Sequence, residues 1–130
     1  MLDKRLHHPD LALLLLRLVA GFAMLTHGWP KLQLILAGKW TAFPDPIGLG
    51  PVPSLLLATF AEVLCSLLLI LGFQVRLAAI PLLITMLVAA VVVHANDPWA
   101  RKELPLLYAS IYAGLLLMGG GRYAVSRARA

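Results

Sequence analysis

Apolar residues fill four long runs along this chain, and short polar stretches separate the runs. The runs extend over about residues 11–28, 53–72, 75–95 and 104–120. Each is close to the length of roughly 20 residues that a helix needs to cross the hydrocarbon core of a bilayer. The pattern therefore predicts an all-α protein whose four transmembrane helices form a bundle.

The ends of these runs carry residues that start and stop helices. Pro9 and Asp10 precede the first run, where a proline and an acidic side chain suit a helix N-terminus. The glycines at 119–121 follow the fourth run, and glycine gains little from remaining helical. Residues 73–76 leave only a tight link between the second and third runs, so we predict that these two helices form an antiparallel hairpin.

The stretch between the first two runs mixes aromatic residues, lysines and prolines. Trp29, Trp40, Lys31 and Lys39 have the character of a membrane interface. Residues 31–37 are too few to cross a bilayer, and we predict a short interfacial or re-entrant helix there, followed by a proline-rich loop. The four spans and this helix account for residues 1–130 as a single integral membrane domain.

Composition supports a membrane location and narrows the function. Only 13% of the residues are charged, about half of the roughly 25% typical of soluble domains. The net charge is +5, but the basic residues flank the apolar runs and form no basic stripe with exposed aromatics, so nucleic acid is not a predicted partner. Cys65 is the single cysteine, which excludes an internal disulfide or a CxxC redox pair.

The distribution of lysine and arginine predicts the orientation in the membrane. Six of these residues lie on the side of the two termini, among them Lys4, Arg5, Arg127 and Arg129, and four lie on the opposite side. Because positive residues are enriched on the cytoplasmic side, both termini are predicted to be cytoplasmic.

Two charged residues interrupt the apolar spans. Glu62 lies about nine residues into the second run, and Arg17 lies about six residues into the first. A carboxylate in hydrocarbon costs several kcal/mol unless it is protonated or paired. The rise of a helix places the two residues within roughly 5 to 7 Å in depth. We interpret them as candidate catalytic groups, with a purely structural pair that fastens the first two helices as the alternative.

Further polar side chains lie near the outer ends of the spans. His27 and His94 have similar predicted depth, Lys31 follows His27, and Tyr108 lies near the same interface. Neutral imidazole suits a quinone carbonyl, a haem iron or a metal. The spacing matches no specific metal motif, so we predict no metal site, prefer quinone to haem, and interpret these four residues as candidate cofactor contacts. The alternatives are histidines bonded to loop carbonyls and a tyrosine of an aromatic belt.

The order of these features resembles a known family. The resemblance rests on the segment from His27 to Leu32, on Ala61, Glu62 and Val63, and on the ending from Gly119 to Tyr123. Together they resemble the DoxX family of small four-span bacterial membrane proteins, which is named for relatives of a thiosulfate:quinone oxidoreductase subunit. The resemblance implies a bacterial inner-membrane protein with a redox association, in which Arg17, Lys31, Glu62 and Arg122 look like the polar signatures of the family.

The leading hypothesis is therefore a subunit or accessory of a quinone-linked membrane oxidoreductase or of redox-stress defence. The sequence leaves open whether the chain is itself an enzyme or an oxidoreductase component that acts with partner proteins. Predicted partners are the lipid bilayer, redox proteins and a second copy of the chain. Two alternatives remain: a small transporter or permeation module gated by Glu62 and Arg17, and a scaffold without chemistry of its own.

Overall fold

The computed structural model describes residues 8–125, and this part of the chain contains helices and no strand. The all-α prediction is confirmed. The helices are α1 (Pro9–Leu36), α2 (Pro51–Leu71), α3 (Val75–Val93) and α4 (Trp99–Met118). Several basic residues that carry the orientation prediction lie outside the described residues, namely Lys4, Arg5, Arg127 and Arg129.

Three of these helices, α1, α2 and α3, are long and apolar enough to cross a membrane. Large apolar side chains cover their outward faces, including Val19, Leu67 and Ile84, and such surfaces are stable against lipid rather than water. The α4 helix has 20 residues, but charged residues occupy its first turns, namely Arg101, Lys102 and Glu103. The described chain thus has the surface of a membrane protein, with three candidate spans.

The α1 helix begins at Pro9, as the sequence predicts, but it is longer than the predicted span. Its 28 residues correspond to about 42 Å, which exceeds the roughly 30 Å thickness of the hydrocarbon core. The residues predicted to form a separate helix, from Lys31 onward, continue α1 to Leu36. Pro30 is exposed and removes only the backbone hydrogen bond to the carbonyl of Thr26, so the helix passes through it.

Two π-helical turns interrupt the regular α-helical geometry. One spans Phe60–Cys65 in the middle of α2, and the other spans Ala89–Val93 at the end of α3. A π turn inserts an extra residue, which rotates the following side chains about the helix axis. The first turn contains Glu62, and the second leads directly into His94, so both turns lie at candidate site residues.

The predicted hairpin between α2 and α3 is present. Gly72 adopts a left-handed conformation with φ 78°, and its N–H donates to the carbonyl of Leu68 at 2.8 Å. Phe73 N–H donates to the same carbonyl at 2.9 Å, which closes the helix end. A Cβ at position 72 would lie 2.6 Å from the Arg17 guanidinium, so glycine is required by space as well as by conformation.

Two glycines set the register of α1 against α2. A Cβ added at Gly21 would lie 2.6 Å from Ile70, and one added at Gly28 would lie 2.9 Å from the backbone of Glu62. Such close approach is typical of glycine at helix contacts in membranes. The pairing of residue 21 with 70 and of residue 28 with 62 shows that the two helices run antiparallel.

The bundle is tight at one end and open at the other. We call the end with Gly72 and residues 119–121 the turn end, and the end with the loop 37–50 the loop end. The α3 and α4 helices pack closely together, whereas the first part of α2 packs on α1 and has hardly any close backbone contact with α3. The helices therefore diverge at the loop end and leave a cavity between them.

Candidate functional site

The cavity at the loop end has a volume of about 620 Å³ and lies within the range of ligand pockets, roughly 300 to 1,000 Å³. All four helices and the loop contribute to its wall. Five of the six candidate site residues line it, namely His27, Lys31, Glu62, His94 and Tyr108. Most of the remaining wall is apolar, with Met24, Phe43, Leu57, Ile84 and Val88 as examples.

An ion pair between α1 and α2 forms the polar floor of the cavity. The ammonium of Lys31 donates to Oε1 of Glu62 at 2.7 Å and to the carbonyl of His27 at 3.2 Å. The Glu62 side chain is only 4% exposed, while that of Lys31 is 23% exposed. An ammonium has three N–H donors, so one donor of Lys31 remains for a ligand.

Three aromatic rings form a cluster that extends from the wall of the cavity into the core of the bundle. The His27 and Tyr108 rings meet edge to face, with 5.8 Å between centroids, and Tyr108 stacks on Tyr112 at 6.0 Å. Tyr112 is fully buried, and its hydroxyl has no hydrogen-bond partner among the described residues. Both tyrosines lie on one face of α4, as their four-residue spacing predicts, but only Tyr108 lines the cavity.

His94 occupies the rim of the cavity directly after the π turn of α3. Its Nδ1 lies 2.7 Å from a carboxylate oxygen of Asp97, and both side chains are partly exposed. A carboxylate on one ring nitrogen fixes the ring orientation and leaves the other nitrogen for a ligand.

The loop 37–50 supplies wall residues that were not predicted. Phe43 lies with its ring centroid 6.0 Å from the Lys31 ammonium, which is within cation–π range. Ser54 Oγ at the start of α2 donates to Asp45 at 3.2 Å and holds the loop against the bundle. Arg101 of α4 also lines the cavity. In the sequence, the only sign of a contribution from this loop is its aromatic and proline residues between the first two spans.

Arg17 does not line the cavity, and the predicted proximity of Arg17 to Glu62 is wrong. Its guanidinium lies at the turn end, where it donates to four carbonyls: those of Leu69 and Gly120 at 2.9 Å, Tyr123 at 3.0 Å and Ile70 at 3.2 Å. The residue is 1% exposed. Helical rise measures distance along a single helix, whereas the glycine contacts at 21 and 28 fix the offset between α1 and α2, which brings Lys31, not Arg17, to Glu62.

The described residues contain no group of three His, Cys, Asp or Glu side chains that are arranged to hold a metal ion. His27 and His94 both line the cavity, so the two histidines predicted at similar depth do share one space. Imidazole, an ammonium and a carboxylate around an apolar cavity are suited to a ligand with hydrogen-bonding oxygens and an apolar body.

The family model for DoxX matches residues 12–95. The chain belongs to the DoxX family. The matched segment contains α2 and α3 and nearly all of α1, and therefore Lys31, Glu62 and His94, whereas Tyr108 lies beyond it. No curated protein and no solved structure matches the chain. The resemblance inferred from the sequence is thus confirmed, and the chain is a membrane protein of the DoxX family.

Proposed function

We propose that this DoxX protein is a subunit or accessory of a quinone-linked membrane oxidoreductase system, and that the cavity at the loop end holds the quinone head group. The observation that carries the proposal is the ion pair between Lys31 and Glu62 at the floor of an otherwise apolar cavity. A bilayer-borne ring with two carbonyl oxygens needs few polar contacts and a large apolar surface.

Each polar group has a distinct part in this proposal. The free N–H of Lys31 donates to one quinone oxygen, and His94 at the rim or His27 at the side serves the other. Glu62 and His94 are groups that take up and release protons, which quinone reduction consumes and quinol oxidation releases. Cys65 is the only cysteine, so thiol-based electron transfer requires a partner protein.

The proposal includes a location and a topology. We infer that α4 is a fourth span, because it has 20 residues and packs along α3. With the positive residues of both termini in the cytoplasm, the loop end faces the opposite side of a bacterial inner membrane. The quinone site then lies toward the periplasmic half of the bilayer, where a redox partner on that side has access to it.

Quinone binding by the purified protein tests the proposal. We expect a short-chain quinone to quench the native fluorescence of Trp29, Trp40 and Trp99 in lipid nanodiscs with a saturable dependence. Lys31→Met removes the donor and is expected to weaken binding about tenfold. Lys39→Met is the matched control, because Lys39 is exposed and lies outside the cavity wall.

Several results contradict the proposal. Absence of saturable quenching together with absence of extractable quinone excludes the quinone site. If the Lys31→Met and Lys39→Met variants bind quinone with equal affinity, the ion pair of Lys31 and Glu62 does not contact the quinone. If Glu62→Gln changes assembly with a partner and leaves quinone binding intact, the scaffold alternative is favoured. Size-exclusion profiles of each variant show whether the protein remains folded.

A further inference from the structure

The cavity has an opening on its lipid-facing side, between α2 and α3. Leu57 of α2 and Ile84 of α3 both line the cavity, and they are 55% and 56% exposed. A residue that lines a cavity and is also half exposed lies at its edge. The cavity is therefore continuous with the surface that faces the hydrocarbon of the bilayer.

The packing of the helices explains why this opening exists. The first part of α2 packs on α1, and α3 packs on α4, so α2 and α3 separate toward the loop end. Ile84 lies nine residues after Val75 at the start of α3, which corresponds to about 14 Å along the helix. This depth is near the middle of the bilayer, well below the polar rim formed by His94.

The edge of the opening is apolar and has no free hydrogen-bond donor. Ala58 and Val88 continue the wall on either side of Leu57 and Ile84. The Thr85 hydroxyl donates to the carbonyl of Pro81 at 2.7 Å, and the Ser54 hydroxyl, one turn before Leu57, donates to Asp45 at 3.2 Å, so both are satisfied within the protein. Polar groups lie at the floor and rim, whereas the opening offers only hydrocarbon contacts.

This separation of polar and apolar parts matches a ligand with a polar head and a hydrocarbon tail. We propose that the gap between Leu57 and Ile84 is a lateral portal, through which the tail of a membrane-resident ligand extends from the cavity into the bilayer. The inference rests on the proposed quinone site and specifies its ligand class as a long-tailed lipid quinone that enters from the bilayer.

Two ligands that share a head group but differ in their tails test the portal. One is a quinone with a long isoprenoid chain, and the other is the same ring with a methyl group in place of the chain. Ile84→Trp fills the portal, and Ile80→Trp, one turn along α3, is the matched control because Ile80 is 40% exposed and does not line the cavity. Leu57→Trp and its control Leu64→Trp repeat the comparison on α2.

For each variant in nanodiscs, the long-tailed quinone retained after size-exclusion chromatography is measured per protein, and the short ligand is measured by equilibrium dialysis. We expect Ile84→Trp and Leu57→Trp to reduce retention of the long-tailed quinone about tenfold, because the added indole occupies the space through which the tail passes. The short ligand has no tail in the gap, so its binding is expected to fall by a smaller factor than binding of the long-tailed quinone in each portal variant, and to stay within about twofold in the Ile80→Trp and Leu64→Trp controls.

The outcomes separate the portal from the site on which it depends. If the portal variants retain the long-tailed quinone as well as their controls do, the portal is excluded while the quinone site stands. If they weaken both ligands equally, the added indole acts on the head cavity, and the portal is again excluded. If the unmodified protein binds neither ligand, the proposed function itself fails.

Discussion

Two buried charged regions along the interface of α1 and α2 differ in how completely they are satisfied. At the turn end, Arg17 donates to four backbone carbonyls and is sealed from its surroundings. At the loop end, the ion pair of Lys31 and Glu62 faces a cavity, and Lys31 is partly exposed. A buried charged group whose hydrogen-bond donors are all paired within the protein stabilises the fold. One that keeps an unpaired donor can also bind a ligand.

Replacement of Arg17 is expected to have the largest effect on stability. Arg17→Met removes a donor from two carbonyls near the end of α2 and two in the segment after α4, and we expect the free energy of unfolding to fall by about 3 to 5 kcal/mol. Thermal unfolding in detergent, followed by differential scanning fluorimetry, measures the change. Arg76→Met is the control, because Arg76 is exposed at the start of α3. Equal melting temperatures for the two variants would disprove the role of Arg17.

A methyl group at the contact between α1 and α2 is expected to have the next largest effect. Gly28→Ala places a Cβ 2.9 Å from the backbone of Glu62, so the helices must separate, at a cost of about 1 to 3 kcal/mol. The control Gly114→Ala adds a methyl group where nothing lies within 4 Å and is expected to raise stability by up to about 1 kcal/mol. The same thermal assay compares them, and shifts of the same sign would contradict the packing argument.

Substitutions in the ion pair of Lys31 and Glu62 are expected to affect stability differently from substitution of Arg17, because both partners are side chains and can be replaced together. Lys31→Met or Glu62→Gln alone leaves one buried charge unpaired and is expected to cost about 1 to 2 kcal/mol. The double variant is expected to recover stability to within about 1 kcal/mol of the unmodified protein while quinone binding stays weak. A full double-mutant cycle of melting temperatures measures the recovery. Additive losses would show that the two residues do not interact.

The smallest effect is expected at the exposed rim. Asp97→Asn removes the negative charge that faces His94, and because both side chains are partly exposed, the stability change is expected to be below about 1 kcal/mol. Quinone titration of this variant is expected to show a change of about two- to threefold, less than for Lys31→Met. If Asp97→Asn weakened quinone binding as much as Lys31→Met does, the main polar contact of the quinone would be His94 at the rim and not Lys31 at the floor.

The helices were predictable because the length of an apolar run directly reflects the thickness of a bilayer. The extension of α1 past Gly28 was not, since Trp29, Pro30 and Lys31 have the composition of an interface and give no sign of continued helix. The π turns at 60–65 and 89–93 also lack a sequence signal, because they depend on how neighbouring helices pack.

The members of the site were easier to predict than their partners. Glu62, His27, Lys31, His94 and Tyr108 stand out because polar residues are rare in apolar segments, and all five line one cavity. The pairing of Glu62 was wrong because helical rise measures distance along one helix and not the offset between two helices. Register depends on where two backbones approach most closely, here at Gly21 and Gly28.

The hydrogen bonds of Arg17 also bear on the order of biogenesis. Two of its carbonyl partners belong to Gly120 and Tyr123, more than 100 residues later in the chain. During synthesis, the first helix enters the translocon long before these carbonyls have been made, so its guanidinium must be accommodated by lipid head groups, water or insertion factors until then. Final closure of the turn end therefore awaits the last segment, and a ribosome stalled before residue 120 is expected to leave a nascent chain open to quality-control proteases.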